Sequence, residues 1–229
     1  MTGMRAIFAI GLWTALFADA AIAEAAFQCP DPALSVEGAD AEVAALACRH
    51  AAEAKAQIVA CGLRQTDPIR IVLVDRLVHE IGVCLASFDC AHDVLSVTDP
   101  AAIAAALGDD SAYLALPVET VFKALIAHEM AHAMLDQSSP GVDLAFVDHE
   151  YVAAAMELEA IGPEARATLI AAAPVSLPAK KGLISVMIYA FDPRKFAVNA
   201  WHFFDAEPDG CARVREIAAG AFTFSDEAR

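Results

Sequence analysis

Three residues in the stretch "LIAHEMAHAMLDQ" (125–137) have chemistry that their neighbours lack: His128, Glu129 and His132, set among alanine, leucine and methionine. Imidazoles and carboxylates are costly to bury unless they are paired or bound to a metal. On a helix, residues four apart differ by about 40° in direction and about 6 Å in height. His128 and His132 therefore project from one face and can hold one ion between them. Glu129 lies beside that ion, where a carboxylate can take a proton from water. This is the HExxH arrangement of zinc hydrolases, and Zn²⁺ is the expected cofactor. The plain alternative is a helix with two partly exposed histidines making ordinary hydrogen bonds. The uncharged flanks Ile126, Ala127, Met130, Ala131, Ala133 and Met134 favour the metal.

A catalytic zinc needs a third protein ligand and keeps a fourth position for water. A third histidine after a glycine turn is absent, because Leu135 and Ser138 occupy the positions it requires. A glutamate on the next helix fits. Glu150 lies eighteen residues beyond His132, and "SSPG" (138–141) interrupts the chain so that the following helix can fold back. His149 and Glu157 are the competing donors. For all three, the unremarkable reading is a solvated side chain on an outer helix face.

At these residues the chain resembles the gluzincin superfamily of metallopeptidases. There, HExxH is followed by a glutamate nineteen or twenty residues after the second histidine. The resemblance spans residues 94–160, and "HEYVA" (149–153) stands in the place of the family's NEGFA-type motif. It implies that His128, His132 and Glu150 hold zinc, that Glu129 is the general base, and that the substrate is a peptide or protein. It also implies a sheet edge beside the site helix to hold that substrate, for which "VLSVT" (94–98) is the candidate. The chain departs from the family in its shorter spacing, in His149 where asparagine is usual, and in Ala154 where some members orient a zinc histidine with aspartate. Glu157, two turns beyond Glu150, can take over that orienting role. Gluzincins often stabilise the oxyanion from a later helical region, where Tyr189 and His202 are the candidates; either more readily fills core. Two other functions accommodate the same residues: a non-catalytic exported binding protein of zincin-like fold, and a zinc hydrolase of a non-peptide bond.

The surrounding elements follow from periodicity. An alanine-rich helix is expected over 39–63, strands at 69–75, 81–88 and 93–98, and a short helix at 99–108. The site helix at 117–137 and its partner at 143–163 come next, followed by helical segments to the end. The fold class is α+β, a small N-terminal sheet with a zincin-like site helix and then a mostly helical C-terminal part.

Residues 6–18 form an apolar run behind Arg5, and "AIA" (21–23) supplies small residues at signal-peptidase spacing. Residues 1–23 therefore read as a signal peptide. Residues 24–229 read as one domain: helix plus small sheet over 24–116, metal-site helices over 117–160, helices over 161–229. No stable membrane span is expected after cleavage, and the location is secreted or periplasmic. A net charge of −16 argues against nucleic acid as a partner. Six cysteines in an exported chain suggest disulfides. Cys48 and Cys61 lie about 20 Å apart on one helix, beyond the roughly 7 Å limit. Cys84–Cys90 is the natural local pair, and Cys29 then joins Cys48 or Cys61; reaching Cys61 needs almost full extension of the chain between, which favours Cys29–Cys48 and Cys61–Cys211.

Overall fold

The computed structural model describes residues 26–79, 82–109 and 111–225; the expected signal peptide lies outside them. The chain opens with β1 (Phe27–Gln28) and β2 (Leu34–Glu37) and enters α1 (Ala41–Ala60). Asp40 caps α1, its carboxylate accepting from the Glu42 and Val43 amides at 3.0 and 2.9 Å. Gly38 is required just before it: with φ at +75°, a Cβ there would lie 2.4 Å from the Leu73 carbonyl oxygen. Next come β3 (Ile69–Val74), β4 (Leu77–His79), β5 (Gly82–Cys84), β6 (Ala86–Asp89), β7 (Val94–Thr98) and α2 (Pro100–Ala106).

The main sheet has the order β1-β2-β3-β7-β6, with β2, β3 and β7 parallel and the two outer strands antiparallel. Alternation places Val36, Ile71 and Leu95 in one row and Leu73 opposite Val97, and these buried side chains face the helices. The expected strand at 81–88 is two strands. β5 pairs with β4 in a separate ribbon, whereas β6 joins the main sheet. The edge strand is therefore β6, and "VLSVT", which forms β7, is interior between β3 and β6.

The helical part consists of α3 (Val118–Ser138), α4 (Phe146–Ala160), α5 (Gly162–Ala172), α6 (Val186–Phe191), α7 (Pro193–Asp205) and α8 (Gly210–Ala218). The fold is α+β, as the periodicity indicates. Helix α3 is apolar on nearly every side, as befits a rod enclosed by the sheet, α1 and α4. Small residues on the buried face of α1, Ala44, Ala47, Ala51 and Ala54, allow close approach. After the turn at 139–145, α4 runs back along α3. Asn199 of α7 clasps the Lys180 backbone at both ends, donating at 2.9 Å and accepting at 3.0 Å, which fixes the segment leading into α6.

Cys29–Cys48 and Cys61–Cys211 are disulfide-bonded, with Cα atoms 5.4 and 4.8 Å apart. The expected Cys84–Cys90 bridge is absent; both are free thiols. Cys84 ends β5, and the four residues of β6 intervene before Cys90. An extended chain at about 3.3 Å per residue carries the two far beyond bridging reach. Among the described residues, no helix is long and apolar enough to cross a membrane.

Candidate metal centre

Helix α3 supplies His128 and His132 one turn apart, and α4 supplies Glu150 and Glu157 two turns apart on the face that meets them. The His128 Nε2 lies 3.6 Å from one Glu150 oxygen, and the His132 Nε2 lies 3.7 Å from the other. Those distances are too long for hydrogen bonds. They match the separation of two ligands held at about 2.0–2.2 Å around one tetrahedral ion, which is roughly 3.4 Å. The three donor atoms lie within 4.8 Å of one another. Glu150 is buried, and its Oε2 has no hydrogen-bond partner. A carboxylate oxygen left this way is costly unless a cation completes it. The donor set fits a divalent metal, and this group could hold one.

Glu157 anchors the first imidazole. One oxygen lies 3.0 Å from the His128 Nδ1. The other accepts from Arg194 at 3.0 Å and from the Tyr113 hydroxyl. Burial alone would raise the Glu157 carboxyl, but Arg194, His128 and Tyr113 bring it down to about 2. The Nδ1 contact leaves the Nε2 facing Glu150, the division of labour expected of a metal-binding histidine.

The electrostatics set the two imidazoles apart. Burial works against protonation of His128, but Glu150 and Glu157 overturn it and hold its pKa well above the ordinary value. His132 is held well below its ordinary value by burial and by His128 and His149. Burial pushes the Glu129 carboxyl up to about 7, against the pull of His128 and with the repulsion of Glu150 and Glu157.

A cavity of about 310 Å³ lies over these groups, walled by Leu85 and Ala86 beside the sheet edge, Tyr189 from α6, and Arg194 and Phe196 from α7. Glu129 lines it together with His128 and Glu150. The favoured donors His128, His132 and Glu150 are therefore in one place, and Glu157 bonds the His128 ring instead of joining them. His149 is outside the donor cluster; its ring lies 5.8 Å from that of His132. Tyr189 reaches the cavity, packed between Phe146 and Phe196, and burial and the Glu150 charge raise its pKa. His202 does not line it. Five residues beyond Ala197, which does, His202 is rotated by about 140° around α7 and its ring packs on Trp201 at 5.1 Å.

Arg194 and Tyr113 are the functional neighbours that periodicity does not reveal. Each belongs to an ordinary stretch, Arg194 in the first turn of α7 and Tyr113 in a single 3₁₀ turn (Ala112–Ala115). The faint signal is chemical: a cation and a phenol that must be buried need a carboxylate partner, and α4 buries two besides Glu150, Asp148 and Glu157.

No curated protein and no solved structure matches the chain. Residues 34–227 match the model of a family of unknown function, DUF6639, and the chain belongs to that family.

Proposed function

We propose that this protein is a zinc-dependent peptidase of gluzincin type that hydrolyses peptide bonds with Glu129 as general base. The observation that carries the proposal is the convergence of His128, His132 and Glu150 on one point at distances too long for mutual hydrogen bonds. Two imidazoles and one carboxylate suit zinc, and three protein ligands leave a position for the reaction. Zinc in such a site makes water nucleophilic near neutral pH and polarises a carbonyl.

The rest of the chemistry belongs to the chain. Glu129 takes the proton of the attacking water and returns it to the leaving amine. Glu157 holds the His128 ring in the tautomer that presents its Nε2. Tyr189 faces the same cavity and is the donor for the developing oxyanion. Among the described residues β6 is an outer strand of the sheet, and its outer side is the edge to which an extended peptide would add through its backbone. Two disulfides suit an oxidising compartment, so the site of action is periplasmic or extracellular.

The test uses the full, disulfide-intact chain. Metal analysis should find one zinc per molecule, and a broad peptide library should be cleaved. Glu129→Gln should keep the zinc and lose turnover by about two orders of magnitude or more. Full zinc occupancy with no cleavage of any peptide by the parent protein overturns the assignment.

A further inference from the structure

Arg194 stands where two cavities meet. One is the cavity over the metal donors; the other, about 680 Å³, runs out past Leu107 and Phe191, and Tyr113 and Arg194 wall both. The guanidinium is stacked 4.3 Å from the Tyr113 ring centre and bonds Glu157 through one nitrogen at 3.0 Å. Arginine carries five N–H donors in a fixed fork, so the bond to Glu157, with the Tyr113 hydroxyl beside it, still leaves donors of that fork to be satisfied. The Glu157 side chain is 5 % exposed and that of Arg194 24 %. Both line the inner cavity, and of the two Arg194 also lines the outer one.

The other charges on the outer cavity are accounted for. Lys195, the second cation on the outer cavity, is paired with Asp192 at 3.0 Å. Glu157 is shared with His128 and Tyr113. Alanine, leucine, phenylalanine and proline supply much of the outer walls, and a guanidinium among them can offer a carboxylate charge-assisted hydrogen bonds. The separation also suits a substrate. Glu157 bridges His128 and Arg194 with 3.0 Å contacts on either side, which places the guanidinium within roughly 12 Å of the metal position. An extended peptide advances about 3.3 Å per residue, so a group one to three residues beyond the scissile bond reaches it.

We infer that Arg194 is a specificity residue that binds a substrate carboxylate on the leaving-group side of the cleaved bond. The carboxylate comes either from the peptide's own C-terminus or from an acidic side chain near it. The inference rests on the peptidase reading for the direction of cleavage, while binding of the carboxylate can be measured without turnover.

Zinc-loaded Glu129→Gln protein should be titrated calorimetrically with three versions of one short apolar peptide: a free C-terminal acid, its C-terminal amide, and an amide with glutamate as the penultimate residue. The acid should bind about 10-fold or more tightly than the plain amide. Recovery of that gain by the glutamate peptide assigns the side chain as a source; no recovery assigns the C-terminus. Adding Arg194→Met, with zinc content checked, should abolish the acid preference, and Arg194→Lys should restore part of it. Equal binding of acid and plain amide, no binding of any peptide, or an acid preference that survives Arg194→Met with full zinc overturns the inference. Cleavage by the parent protein without an acid preference would sink this inference alone, whereas an acid preference without cleavage would sink the peptidase assignment alone.

Discussion

Helix α3 passes two settings in which a poorly exposed histidine sits among carboxylates, and they are built on opposite principles. Towards its C-terminal half, the Nε2 atoms of His128 and His132 both face the single carboxylate of Glu150. Towards its N-terminal end, His50 of α1 is 5 % exposed and lies between Glu53 and Glu119, each 3.8 Å from a different ring nitrogen. The two nitrogens of one imidazole point in diverging directions, so those carboxylates cannot share an ion with it. They are also neutralised already, Glu53 by Lys123 at 2.8 Å and Glu119 by Arg49 at 3.4 Å. Residue types at the two places are alike. What separates a candidate metal centre from an ion-pair cluster is whether donor atoms converge on one point and whether the carboxylates already hold a lysine or arginine.

The contrast can be broken most forcefully at the ligands. If the proposed centre holds zinc, His132→Ala or Glu150→Ala should weaken its binding by more than about 100-fold, because two of three ligands would remain; His50→Ala should leave zinc binding unchanged. Competition with a chromophoric chelator reads all three, and a loss of zinc in the His50 variant would erase the distinction. Glu157→Gln should have a smaller effect, about 10- to 100-fold on zinc affinity, since it removes the charge that orients His128 without removing a ligand. The same chelator titration checks it, with circular dichroism confirming that the buried Tyr113 and Arg194 have not unfolded the chain.

The smallest effect is a pH dependence at the other cluster. Burial lowers the His50 pKa in the folded protein, Glu53 and Glu119 opposing this and Arg49 and Lys123 adding to it. The unfolded chain therefore takes up a proton near its ordinary value of about 6.5 before the folded chain does. The His50 contribution to stability is complete above that pH and is lost as pH falls through it towards the lower folded value. His50→Leu should remove this component. Thermal melts of parent and variant between pH 8 and 5 should show the parent losing a few degrees more than the variant, and parallel curves would refute a neutral, buried His50.

Much of this arrangement was legible without coordinates. The spacing of His128, Glu129 and His132 on an apolar helix placed the site, and "SSPG" placed the reversal that brings Glu150 back. The impossibility of Cys48–Cys61 along one helix and the short reach from Cys29 pointed to the two bridges that form, although the third pair assumed with them does not. Legibility failed where the outcome depended on strand assignment. The run 81–88 looked like one strand because its composition is uniform, yet it divides between two sheets, and with that division Cys84 separates from Cys90 and the edge passes from β7 to β6. Arg194 and Tyr113 were invisible because both meet Glu157 across long stretches of chain.

Local spacing by itself determined which side chains share a helix face and therefore which could act together, since a helix imposes its geometry on any sequence that adopts it. Tertiary structure decided which of those faces meet. It turned Glu150 and Glu157 towards α3 while Glu159 went to Arg166 and Trp201, and it left one oxygen of Glu150 buried without a hydrogen-bond partner. That choice depends on the packing of whole helices, whose burial free energy is summed over many residues and is written in no single short stretch.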